Sequence, residues 1–143
     1  MEKLFRTMAL LLICFFLTAC RYTTEYKFIQ PEENISAISI VTISFNQENE
    51  VVLTEDSVIS DIDAFLEEFR KVRCYVYFGD PTGVTEEGVS AKVIKISFKD
   101  GSYELINWDG QAKYTSERGL DFYAGFRIFE KDDFFQLINN TGT

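Results

Sequence analysis

The chain predicts an α+β domain, an antiparallel sheet of about five to six strands with one main helix and a short C-terminal helix on one face. Three observations predict it. Residues 35–45, ISAISIVTISF, form a β-branched run ending in phenylalanine. Apolar residues then recur at three- and four-residue spacings over about 57–72, the period of a helix face. Further on, an alternating stretch is punctuated twice by Asp-Gly, at Asp100-Gly101 and Asp109-Gly110, the strongest short-range hairpin signal.

Taken in order, the run at 35–45 is apolar on both faces in places, which predicts a central strand. NQENE turns the chain, and VVLT at 51–54 predicts a short returning strand. Val58, Ile59, Ile62, Phe65, Leu66, Phe69 and Val72 make one apolar helix face. Thr54, Asp56 and Ser57 offer caps before it. Asp61 and Asp63 sit early and Arg70, Lys71 and Arg73 late, as the helix dipole favours. CYVYFGDP predicts a strand running into a turn, followed by an exposed loop, DPTGVTEEG.

The meander over 89–115 has a register that follows from its turns. With two-residue loops at both Asp-Gly pairs, Phe98 faces Tyr103, Ile96 faces Leu105, and Leu105 faces Tyr114. One face then gathers Ile94, Ile96, Phe98, Tyr103, Leu105 and Tyr114, covered by the main helix. The other, wetter face carries Lys95, Ser97, Glu104 and Lys113. A last strand is predicted near Tyr123–Phe129, and a short helix at about 131–139 using Phe134, Phe135 and Ile138.

The start of the chain reads differently. Lys3 and Arg6 precede ten unbroken apolar residues, Met8 to Leu17, and then Leu17-Thr18-Ala19-Cys20. About 20 apolar residues are needed to span a bilayer, so this is a secretory leader rather than a membrane helix. The junction resembles the lipobox of bacterial lipoproteins. That resemblance, carried by residues 1–20, implies diacylglycerol on the Cys20 sulfur and cleavage just before it. It implies a domain on the extracytoplasmic face of a cell membrane, held by lipid. Residues 1–19 are then the signal peptide, 20–34 the lipidated N-terminus and a tether, and 35–143 a single domain. Fully extended, the tether reaches at most about 45–50 Å.

Composition narrows the function. Without residues 1–19 the chain has 12 basic and 22 acidic side chains, a net charge of −10. Nucleic acid is an unsuitable partner, because binding it needs a basic stripe. A cationic peptide or envelope protein is attracted instead. There is no histidine, which removes Ser-His-Asp and Cys-His chemistry and imidazole zinc sites. With Cys14 in the leader and Cys20 acylated, Cys74 stands alone, so no disulfide forms within the mature chain.

No phosphate-binding loop appears, and no cofactor or metal is expected. Asp80, Glu86 and Glu87 share a loop able to offer oxygen ligands to a cation, but not in EF-hand order, and Asp-Pro-Thr-Gly is turn chemistry first. Tyr75, Tyr77, Asp80 and Trp108 are the candidate ligand-binding residues, aromatics with polar handles beside a turn carboxylate. The expected function is a lipid-anchored extracytoplasmic binding module that captures a cationic peptide or protein. The alternatives are an accessory structural subunit of a cell-envelope complex, and a hydrolase working with carboxylates alone.

Overall fold

A computed structural model describes residues 23–76, 90–121 and 127–141. Nine strands and two helices make up this part. Six strands form the larger sheet: β2 (Ile35–Phe45), β3 (Val51–Val58), β5 (Ala91–Phe98), β6 (Tyr103–Ile106), β7 (Gln111–Thr115) and β8 (Gly119–Asp121), in the order β3-β2-β5-β6-β7-β8. Three short strands, β1 (Thr23–Thr24), β4 (Cys74–Val76) and β9 (Arg127–Phe129), form a second sheet in the order β1-β4-β9. Every pairing is antiparallel. Helix α1 (Ile62–Lys71) and helix α2 (Lys131–Thr141) complete the α+β architecture.

The apolar interior lies on one face of the large sheet. Ile38, Ile40, Ile94, Ile96, Phe98 and Ile106 meet Phe65, Leu66 and Phe69 of α1 and Phe134, Leu137 and Ile138 of α2. Cys74 and Phe129 of the small sheet join the same cluster. Both helices therefore cover one face, as the sequence predicts. Burial of each large apolar side chain contributes up to about 1.5–3 kcal/mol. Phe129 is ringed by aromatics, with Tyr26, Phe69 and Phe134 centroids 5.3–5.4 Å away.

Helix α1 begins later than its apolar spacing suggests. Val58 belongs to β3, opposite Ser39, and the Ile59 amide donates to the Ile38 carbonyl. Asp61 is the true cap, its Oδ1 accepting from the Ala64 amide at 3.0 Å. Strand β3 correspondingly runs to Val58 instead of ending at Thr54.

Residues 23–34, expected within the tether, are packed on the domain. From Thr23 the chain lies against the domain: Thr23 and Thr24 pair with Tyr75 and Cys74, while Tyr26, Phe28 and Ile29 pack on the main cluster. Arg70 pairs with Glu32, Gln30 with Asp100, and the Lys99 amide donates to the Asn34 carbonyl. The side chains of Tyr26, Phe28 and Ile29, together with the strand pairing and the hydrogen bonds to Asp100 and Lys99, oppose the entropy of a free linker.

The hairpin registers also differ. At the first, the Phe98 amide donates to the Ser102 carbonyl, so Lys99, Asp100 and Gly101 form a three-residue loop with Gly101 at φ +86°. Such a left-handed glycine closes a type I turn with a bulge. Ile96 consequently faces Glu104, and Ile94 faces Ile106. At the second, Asn107 pairs with Gly110, Trp108 and Asp109 are the loop, and Leu105 faces Ala112. A slip of one residue moves a strand's side chains to the opposite face. Leu105 therefore joins Val41, Ile43, Val93 and Ala112 in a second buried cluster, on the face expected to be wetter. Glu104 takes the core side.

Candidate functional site

The expected binding residues do not assemble into an open site. Tyr75 is buried on β4, opposite Ile128 of β9. Trp108 sits in the β6–β7 turn, half-buried against the main cluster, with the Lys131 Nζ 5.0 Å from its ring centroid. Its carbonyl accepts from the Phe129 amide at 2.6 Å, tying the turn to β9. Both residues thus belong to the seam where the small sheet meets the large one. Tyr77, Asp80 and the lipidation residue Cys20 lie outside the described residues, as do Glu86 and Glu87.

Among the described residues the buried carboxyl is that of Glu104, which sequence alternation assigns to the solvent side. Its side chain is fully buried. The Ile29 amide donates to one carboxylate oxygen at 2.9 Å, and the Tyr26 hydroxyl donates to the other. Burial pushes the carboxyl above the ordinary glutamate range, against the opposing pull of the two donors. Lys113 lies opposite it on β7, on the same face of the sheet. Since both oxygens are engaged by the chain's own donors, Glu104 acts as the anchor of residues 25–34. The signal that could have placed it is the alternation of Tyr26 and Phe28 with Glu25 and Lys27, the pattern of a segment with one face against a core.

Beside this anchor lies a cavity of about 40 Å³, bounded by Tyr26, Phe69, Val72, Cys74 and Phe129 among others. That is space for a few water molecules at most. Burial raises the Cys74 thiol to about 11, with Arg127 pulling the other way. The thiol is therefore protonated at neutral pH and a poor nucleophile.

Exposed charge is distributed unevenly. Residues 35–69, which make β2, β3 and most of α1, contain no lysine or arginine. They carry eight carboxylates, Glu48, Glu50, Glu55, Asp56, Asp61, Asp63, Glu67 and Glu68, all exposed. Among the described residues, Glu68 alone of these eight has a basic partner in an ion pair, Lys71. The net −8 of this stretch nearly equals the −9 of the whole chain. Just past the end of β3, an open groove is rimmed by Glu32, Glu33, Asp61 and Asp63 over Ile35, Ile62 and Leu66.

The α1 N-terminus contributes about half a positive charge there, which the Asp61 cap and Asp63 more than offset. A groove with carboxylates above an aliphatic floor suits a lysine or arginine side chain, whose stem is apolar and whose tip is charged. Among the described residues no three carboxylates or thiols converge as metal ligands. None of the described helices is long and apolar enough to cross a membrane. Comparison with protein families, with curated proteins and with solved structures finds no match for this chain.

Proposed function

We propose that this chain is an extracytoplasmic lipoprotein, anchored through diacylglycerol on Cys20, that captures a cationic peptide or basic protein segment. The carboxylate-rich side formed by β2, β3 and the start of α1 is its binding surface. One observation carries the reading: eight exposed carboxylates stand on 35 consecutive residues with no base among them. Like charges left unpaired on one side repel one another, and a cationic ligand relieves that repulsion. The leader and Leu17-Thr18-Ala19-Cys20 support the anchoring half of the proposal.

Two experiments test the two halves. Radiolabelled fatty acid is expected in the wild-type protein and lost on Cys20→Ala, with release from the membrane; retention of both overturns the anchor. A lysine-rich peptide is expected to bind the protein at least tenfold more weakly at 300 mM than at 50 mM salt, as charge-driven contacts do. Replacing Glu48, Glu50, Glu55 and Asp63 together by their amides is expected to weaken it by a similar factor at low salt. Affinity unmoved by salt and by the amides overturns capture by charge.

A further inference from the structure

We infer that the cationic partner binds as an added strand on the open edge of β3. This rests on the capture reading above and specifies how the partner is held. Among the described residues, strand β3 is the last in the order of the large sheet and has a partner, β2, on one side only. A free edge presents a row of unpaired amides and carbonyls, a template for another chain. The opposite edge, β8, is three residues long, whereas β3 has eight. Val52 and Val58 are the exposed large apolar side chains among the described residues, and both are on β3.

The usable length follows from the bulge. Ile40 faces Ser57 while Val41 faces Glu55, which leaves Asp56 as the extra residue, held by the Thr42 hydroxyl at 2.7 Å. Regular pairing is therefore open over Val51–Glu55, about 17 Å of strand. Along it, Val51, Leu53 and Glu55 point to one face and Val52 and Thr54 to the other. The occupant that fits is an extended segment with β-branched or aliphatic residues on the Val52 and Thr54 face and lysine or arginine on the Glu55 face, within reach of the turn carboxylates Glu48 and Glu50. A second copy of β3 fits badly, because it brings further carboxylates and no lysine or arginine to an edge already acidic. Beyond β3, the groove at Asp61 and Asp63 offers the same partner a further site for a basic side chain.

The probe is a synthetic peptide of alternating lysine and valine, with a second version methylated on every backbone amide. Amide hydrogen exchange of the full-length protein in detergent is followed with and without each peptide. Binding of the first peptide is expected to slow exchange at alternate amides of Val51–Glu55 at least tenfold. The methylated peptide, with the same charge and no amide donors, is expected to bind at least tenfold more weakly. Binding of both peptides with equal affinity, or tight binding that leaves β3 exchange unchanged, overturns strand addition while leaving capture by charge standing. Binding of neither peptide overturns the capture reading itself. Concentration-dependent protection of the same amides without peptide assigns the edge to a second copy and also overturns the inference.

Discussion

The Glu104 anchor gives the sharpest test of the interior. Glu104→Ala leaves the Ile29 amide and the Tyr26 hydroxyl without their acceptors. An orphaned buried donor costs about 1–3 kcal/mol, and both donors here are only partly buried, so the lower part of that range applies to each. The expected loss is about 2–3 kcal/mol, reduced slightly because a desolvated carboxyl is removed as well.

Glu104→Gln separates the two effects. Its amide oxygen still accepts from Ile29, and its amino group can donate to the Tyr26 oxygen, so the cost at acidic pH is expected within about 1 kcal/mol. The sign with pH follows from the raised pKa. The native state holds the Glu104 proton more tightly than the unfolded chain does. This group's contribution is then full below the ordinary glutamate value of 4.5 and lost as pH rises through the raised native value. Within that window the change is at most about 1.4 kcal/mol per pH unit. Glu104→Gln is therefore expected to gain on wild type as pH climbs, and Glu104→Ala to stay below it. Urea denaturation read by Trp108 fluorescence from pH 4.5 to pH 8 measures all three proteins. Equal loss in Gln and Ala variants at pH 8 refutes the reasoning, since the native fold would then require the charge.

Three further outcomes are expected. Gly101→Ala is expected to destabilise by about 1 kcal/mol in the same assay, from its left-handed φ of +86° alone, because nothing lies within 4 Å of an added Cβ; Gly101→Asn is expected to cost less. Phe134→Ala removes a fully buried ring whose centroid lies 5.3 Å from that of Phe129, and a loss of about 3–5 kcal/mol in chemical denaturation is expected. Alkylation of Cys74 at pH 8, followed by mass spectrometry of its peptide, is expected at least 100-fold slower in the native protein than in urea. Its thiol is displaced from 9.0 to about 11, and burial slows access further.

Much of the fold is legible from periodicity, and the failures have physical causes. Strand β2 and helix α1 carry strong patterns, and α2 extends its expected range by two residues to Thr141. The start of α1 misleads because Val58 and Ile59 satisfy a helical spacing while serving a strand and its exit. Asp-Gly marks a turn without stating how many residues the loop contains. One extra residue, Lys99, was enough to turn Glu104 inward and Leu105 outward. A buried glutamate in a strand cannot be told from an exposed one by alternation alone. Its burial depends on donors supplied from residues 26–29, remote in sequence. Strands of two or three residues, such as β1, β8 and β9, are too short to show a period. The acidic side, by contrast, is written in one uninterrupted stretch of the chain and was visible only as overall charge until β2, β3 and α1 placed it together.

The seating of β1 has a consequence for standoff from the bilayer. With Cys20 as the proposed anchor and Thr23 already hydrogen-bonded into a sheet, only residues 20–22 separate lipid from folded protein, a leash of about 10 Å at most. Ion screening at physiological salt extends about 8 Å. If the proposed anchor holds, an anionic lipid surface would act on the acidic body at this range and favour orientations that turn the carboxylate-bearing side, with β3, away from the headgroups.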